Sequence, residues 1–133
     1  EKKRKTGTAD VRTGERAALV IEDQKAVLTV IEKYLRKIGF EVLTASNGED
    51  GLDIYRERKD DIDIVILDMI MPGMSGRETY LRFRKINPEI RVILASGYSR
   101  DRQAREILAE GCNGFIQKPF DLQELADKIS AVL

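Results

Sequence analysis

A three-layer α/β sandwich, built on a parallel five-stranded sheet wound on both faces, is the fold this sequence predicts. Three observations predict it. Short β-branched runs alternate with amphipathic segments from Ala17 to the end of the chain, five of each. Successive parallel strands need crossover connections, which are right-handed and carry the helices. At 133 residues the chain is long enough for one hydrophobic core and short for two ordinary domains.

Composition agrees with one folded unit. Apolar residues make up 42% and charged residues 35%, with three prolines, which describes a globular chain and excludes a disordered one. Lysine plus arginine equals aspartate plus glutamate at 23 each, so no net field draws the chain to nucleic acid or to an acidic membrane, and neither is expected as a partner. No apolar run reaches the length of a bilayer and no signal-peptide pattern is found, so a cytoplasmic location without membrane insertion is expected. The lone Cys112 forms no intrachain disulfide and reads as a small buried residue near a helix end. Histidine is absent, which removes the usual proton carrier and metal ligand. Any phosphohistidine in this protein's chemistry belongs to another domain.

The first sixteen residues carry six basic and three acidic side chains and almost nothing large and apolar. They predict a flexible linker over 1–16, a solvated tether rather than a nucleic-acid arm, leaving 17–133 as the domain. AALVI (17–21) is a strand buried on both faces. Val27, Val30, Ile31, Tyr34, Leu35 and Ile38 then follow the spacing of one helical face, which Gly39 ends. EVLTA (41–45) is a second strand; Ser46 and Glu49 fit a capping box for a helix with Leu52 and Tyr55 inward. IDIVIL (62–67) is the most strand-like run in the chain. Ser75 and Glu78 form another candidate capping box, before a helix that buries Tyr80, Phe83 and Ile86 and stops at Pro88.

RVILAS (91–96) is the fourth strand, followed by a helix with Ala104, Ile107 and Leu108 inward and Gly111 at its end. GFIQ (114–117) is the fifth. Asp121 and Glu124 open the last helix as a capping box, with Phe120 and Leu125 as its hydrophobic staple; Leu122, Leu125, Ala126, Ile129 and Val132 form its apolar stripe.

In a doubly wound sheet, function collects beyond the carboxyl ends of the strands. Three of those ends carry residues useless for packing: Glu22 and Asp23 after the first strand, Asp68 after the third, Lys118 and Pro119 after the fifth. The fourth ends in Ser96 and Gly97. Each has an ordinary explanation by itself, as a cap, a turn residue or a solvated lysine. Together they are harder to dismiss, because the fold brings them to one edge. Like charges about 4 Å apart repel by about 4 kcal/mol at an intermediate dielectric, so three carboxylates call for a cation. Oxygen donors in a partly hydrated cluster suit Mg²⁺. A carboxylate can attack phosphorus when metal and fixed cations offset the charge on the transferring oxygens. Asp68 is then the group to be modified, with Asp23 and Asp68 holding Mg²⁺, Lys118 as fixed cation and the Ser96 hydroxyl donating to a phosphoryl oxygen. Gly73 and Gly76 free the loop after Asp68 to take unusual backbone angles, and Pro72 stiffens it.

The acidic pair Glu22 and Asp23, the run DMIMPGMSG with Asp68, Met71, Pro72, Met74 and Gly76, Ser96 in ILASGYS, and Lys118, Pro119 and Phe120 in QKPF resemble the receiver domains of bacterial response regulators. The resemblance spans Ala17 to Leu133. It implies a flavodoxin-like (βα)5 sandwich with strand order 2-1-3-4-5. It also implies that Asp68 is the phosphoacceptor, that Asp23, Asp68 and the Ile70 backbone carbonyl ligate Mg²⁺ with Glu22 acting through water, and that Ser96 and Phe115 are the switch hydroxyl and switch aromatic. Two positions depart from the family pattern: Glu22 stands where aspartate is usual, and Phe115 where tyrosine is common.

On that resemblance the expected function is to accept a phosphoryl group from the phosphohistidine of a histidine kinase or histidine phosphotransfer domain and to switch conformation. The face of the fourth strand, fourth helix and fifth strand is the expected output and homodimer surface. Ile70 and Tyr98 flank the phosphate and are expected to slow its hydrolysis. The domain is not expected to be an enzyme beyond its own phosphorylation and dephosphorylation. No output module follows the last helix, and the ASGYS wording resembles receivers at the carboxyl end of hybrid histidine kinases. A fragment of a larger sensor is therefore expected, with a stand-alone receiver as the alternative. The rivals are a Mg²⁺ phosphatase or phosphotransferase of the haloacid dehalogenase type and an interaction module that is not phosphorylated. The first wants an aspartate two residues after its nucleophile, where Ile70 stands; Asp61 and Asp63 have that spacing but precede the strand.

Overall fold

The structure, a computed structural model, describes residues 16–97 and 102–133. Five strands and five helices alternate: β1 Arg16–Ile21, α1 Lys25–Ile38, β2 Phe40–Ala45, α2 Gly48–Arg58, β3 Ile62–Asp68, α3 Gly76–Ile86, β4 Val92–Ser96, α4 Arg102–Ala109, β5 Gly114–Gln117 and α5 Leu122–Val132. The strands form one parallel sheet of order β2-β1-β3-β4-β5, the 2-1-3-4-5 arrangement. Residues 1–15, nearly all of the expected linker, lie outside the described residues, as does Tyr98. Arg16 belongs to β1 rather than to the tether.

Alternation along each strand produces two cores. Leu19, Ile21, Val65, Leu67, Val92 and Leu94 point to one side of the sheet, where they bury Tyr55 of α2, Tyr80 and Phe83 of α3 and Ile107 of α4. Ala18, Val20, Ile64, Ile66, Ile93 and Ala95 point to the other, against Ile31 and Leu35 of α1 and Leu125 and Ile129 of α5. Side chains of this size contribute roughly 1.5–3 kcal/mol each when buried. Two filled faces therefore leave the central strands no choice of register. The ladder shifts register between Ala17 and Ala18 against β3. There Asp63, through Oδ2, accepts the Ala17 amide at 3.0 Å.

Helix ends follow local chemistry. Asp121 and Glu124 make the reciprocal capping box that opens α5, and Phe120 and Leu125 share one core. At α3 Ser75 accepts the Glu78 amide. At α2 the cap is Asn47 rather than Ser46: its Oδ1 accepts the Asp50 amide at 2.8 Å, and the helix starts one residue later than the Ser46–Glu49 spacing predicts. Gly39 and Gly111 end their helices with φ of +116° and +111°, a conformation side chains resist. Val30, predicted inward, is 44% exposed. The inward stripe of α1 passes through Leu28 and Ile31 instead, which leaves Val30 on its flank.

Candidate functional site

Sequence order places each polar side chain on a strand end, and the topology gathers the ends. Glu22 directly follows β1, Asp68 closes β3, Ser96 closes β4, and Lys118 follows β5. These four strands are neighbours in one parallel sheet, so their carboxyl ends share an edge. The register is tight: Ile21 pairs with Leu67, Asp68 with Ala95, and Ser96 with Gln117. Main-chain bonds carry the ladder just past the strands, from the Glu22 amide to the Ala45 carbonyl and from the Met69 amide to the Ala95 carbonyl, 3.0 Å each.

The edge holds a buried charge cluster. Glu22 is 1% exposed, Asp68 5% and Ser96 1%, whereas Asp23 is exposed. One carboxylate oxygen from each of Glu22, Asp23 and Asp68 lies within 4.8 Å of the others. Lys118 answers them: Nζ donates to Glu22 Oε1 at 2.6 Å and to Asp68 Oδ1 at 2.9 Å, while its backbone amide donates to the Ser96 carbonyl at 2.8 Å. The second oxygen of Glu22, Oε2, accepts the Gln24 amide at 3.1 Å. The Lys118–Pro119 peptide that carries this ammonium is cis.

Burial and pairing act against each other here. Desolvation pushes the carboxyls of Glu22 and Asp68 above their ordinary values, and their hydrogen bonds to Lys118 only partly restrain the rise. The Ile70 amide adds to the restraint on Asp68, and the Asp23 charge works against it. Burial would by itself lower Lys118; the bonds to Glu22 and Asp68 outweigh it and raise the ammonium instead. One cation faces three carboxylates, a negative notch of hard oxygen donors that fits a divalent cation such as Mg²⁺ or Ca²⁺ and offers nothing soft to zinc or copper. Asp68, buried beside a fixed ammonium, is placed to attack an electrophile whose oxygens the same ammonium would neutralise.

The structure thus brings Glu22, Asp23, Asp68, Ser96 and Lys118 to one place. Ile70 is 58% exposed at the rim. Phe115 lies on β5, half-buried against the α2–α4 core and paired with Leu94. Two sequence expectations need correction. Asp63 is the second residue of β3 rather than a residue before it, and its carboxylate is taken by the Ala17 amide at the far end of the sheet from Asp68. Asp61 sits there too, bonded to Arg58 Nε at 3.0 Å. Gly73 takes a positive φ of +81°, but Gly76 does not. Gly76 is needed for space: a Cβ there would lie 3.0 Å from the Met69 carbonyl oxygen. Sequence reasoning missed the Glu22–Lys118 ion pair. Its clue was the extra methylene of glutamate at a strand end.

The family model described as response regulator receiver domain matches residues 18–130. The sensor kinase CckA of Brucella abortus (strain 2308) is 35% identical over 99% of this chain, which spans only 14% of that protein. Sporulation initiation phosphotransferase F of Bacillus subtilis (strain 168) is 32% identical over 86% of this chain and 91% of its own length. Among solved structures, the response regulator protein TrrA from Thermotoga maritima, in complex with Mg²⁺ and BeF, superposes with a TM-score of 0.79 at 30% identity, covering 89% of this chain and 99% of that one.

Proposed function

Because this chain belongs to the response regulator receiver domain family, we propose that Asp68 is its phosphoacceptor and that Lys118, Ser96, Asp23, Glu22 and Ile70 serve that one carboxylate. The observation that carries the reading is the Lys118 ammonium, 2.9 Å from Asp68 Oδ1 inside a notch of three carboxylates.

The donor of the phosphoryl group is the phosphohistidine of a histidine kinase or histidine phosphotransfer domain. One carboxylate oxygen of Asp68 attacks phosphorus, a new O–P bond forms, the N–P bond breaks, and its electron pair returns to the departing imidazole. Lys118 neutralises charge on the transferring oxygens, and Ser96, buried at the end of the neighbouring strand, donates its hydroxyl to one of them. Mg²⁺, when bound, would supply the remaining positive charge. Asp23, Asp68 and the Ile70 carbonyl would hold it, with Glu22 acting through water. Desolvation strengthens every one of these attractions.

The acyl phosphate carries about half to one more negative charge than the carboxylate it replaces. Ser96 and Lys118 are drawn to it from β4 and the end of β5, and Phe115 repacks beside them, so the face of β4, α4 and β5 reports the change to partners or to a second copy. The domain works in the cytoplasm, within a larger sensor, and promotes only its own phosphorylation and dephosphorylation. Ile70, exposed beside Asp68, limits access of water to the product.

Intact mass after treatment with acetyl phosphate and Mg²⁺ tests the reading. One phosphoryl group per chain is expected, and none on Asp68→Asn. Continuous turnover of a chromogenic phosphomonoester would instead support a dehalogenase-type phosphatase, and an unmodified wild type an interaction module.

A further inference from the structure

The two ends of α4 are held differently. At the carboxyl end the chain closes a Schellman turn: Gly111, with φ of +111°, donates its amide to the Leu108 carbonyl at 3.1 Å, and Cys112 donates to the Ile107 carbonyl at 3.3 Å. The Glu110 carbonyl is left to find a partner outside the helix, and Arg84 of α3 supplies it. Arg84 Nη1 donates to that oxygen at 2.6 Å and to the Tyr80 hydroxyl at 2.9 Å. Tyr80 is 1% exposed, so the guanidinium is fixed to the core as well as to the helix end. Gly111 allows the approach, because a Cβ there would lie 2.9 Å from the same nitrogen. Past the turn, Cys112 Sγ donates to the Val92 carbonyl at 3.2 Å and Asn113 Oδ1 accepts the Val92 amide at 2.8 Å, which stitches the turn to the start of β4. Arg77 adds an ion pair to Glu110 at 2.9 Å, but both side chains are over a third exposed and such pairs contribute little. Arg102, the first residue of α4, projects into solvent instead: its side chain is 87% exposed and meets Glu106 of its own helix at 3.6 Å.

We propose that Arg84 is the pivot of α4: when Asp68 is phosphorylated, the helix turns about its fixed carboxyl end, and its displacement grows toward Arg102. This rests on the reading of Asp68 as phosphoacceptor and of β4, α4 and β5 as the face that reports the change, and it adds where on that face the change falls. Packed interfaces switch between discrete arrangements rather than deforming evenly, so a stitched end and an open end divide the motion unequally. The helix, Arg102–Ala109, is about 12 Å long at 1.5 Å per residue, so a rotation of roughly 10° about its carboxyl end carries Arg102 by about 2 Å and leaves the turn in place. A partner that reads the first turn of α4 meets a changed surface; one that docks at Glu110 and Asn113 does not.

Amide NMR of the wild type and Arg84→Met, each saturated with Mg²⁺ and beryllofluoride as a phosphoryl mimic, tests this. In the wild type the amides of Arg102–Arg105 should shift, while Gly111 and Cys112 hold their chemical shifts and their protection from hydrogen exchange. The field of the mimic is the same in both proteins, so any added response in the variant reports lost anchoring. In Arg84→Met, Gly111 and Cys112 should shift with the rest of the helix and exchange roughly tenfold faster, the worth of one hydrogen bond to a charged group. Glu110→Gln removes the Arg77 ion pair but keeps the carbonyl, and should leave the turn as still as in the wild type. The proposal is overturned if Gly111 and Cys112 move as far as Arg102 in the wild type, if the turn stays still in Arg84→Met, or if Glu110→Gln frees it. Should Arg84→Met not fold, the gradient along α4 in the wild type and in Glu110→Gln decides. A wild type whose Met69 amide does not respond to beryllofluoride would sink the phosphoacceptor reading, while exchange of Gly111 and Cys112 in the absence of the mimic still judges the Arg84 anchor separately.

Discussion

At the scale of single residues, two buried titratable groups sit in contrasting surroundings. Asp68 is buried with an ammonium 2.9 Å away; Cys112 is buried against the Val92 and Gly114 carbonyls. The Cys112 thiol donates to the Val92 carbonyl at 3.2 Å, and burial pushes it up to about 11 from 9.0. Since only the thiolate reacts, Cys112 should resist alkylation in the folded chain near neutral pH and react fully on unfolding, as mass spectrometry with iodoacetamide would record. Linkage gives a second expectation. The unfolded thiol ionises first, so above its ordinary value the folded state binds more protons and stability falls as pH rises. The loss begins near 9 and is complete beyond about 11, amounting to about 3 kcal/mol. Denaturant titrations across that window should show the decline, and Cys112→Ala should flatten it.

At the scale of elements, the loop between β3 and α3 transmits packing to chemistry. Gly76, the first residue of α3, sits against the backbone of Met69, the residue after Asp68; an added Cβ would stand 3.0 Å from the Met69 oxygen and 3.1 Å from its Cα. Backbone cannot rotate out of the way as a side chain can. Gly76→Ala should therefore lower stability by roughly 1–3 kcal/mol and slow phosphorylation as well, because relief of the clash moves the residue next to Asp68, the proposed phosphoacceptor. Gly73 is the internal comparison: a Cβ there meets nothing within 4 Å, but φ is +81°. Its alanine variant pays only in backbone strain, about 1–2 kcal/mol, and should leave the phosphorylation rate nearly intact. Urea unfolding and acetyl phosphate kinetics on the two variants separate these outcomes.

Element by element, the sequence was most legible where one local rule sufficed. GFIQ gave β5 to the residue, and the Asp121–Glu124 capping box placed the start of α5. It was less legible where neighbours compete. Ser46 and Asn47 are both good caps, and only the path of the chain out of β2 decides for Asn47. Val30 fits the helical period yet lies on the flank of α1, since the period fixes an angle around the helix but not where the sheet ends beneath it. The candidate site followed the same logic. Asp68 and Lys118 could be assigned to strand ends from the sequence, whereas the ion pair between Glu22 and Lys118 spans 96 positions and depends on side-chain reach.

At the scale of the whole molecule, the charge cluster leaves the metal-free domain with a penalty that a cation would remove. Three carboxylates and one ammonium meet at one edge, and two of the carboxylates are raised by burial. A ligand that binds only the folded state stabilises it by mass action, about 2.7 kcal/mol at a hundred times its dissociation constant. Mg²⁺ should accordingly raise the melting temperature relative to a chelator, and Asp23→Asn should lose most of that response while keeping its fold, which differential scanning calorimetry would measure.

The two cores also determine what the flanks of the sheet can do. Every strand at the centre is sealed above and below, so among the described residues the open edges of the sheet belong to β2 and β5. One is interrupted by the outward Glu41 and Thr44, and the other is four residues long. Short or charged borders give a foreign strand little to zip onto. A unit bounded in this way can be strung beside other modules, or crowded among its own copies, with little risk of fibril growth.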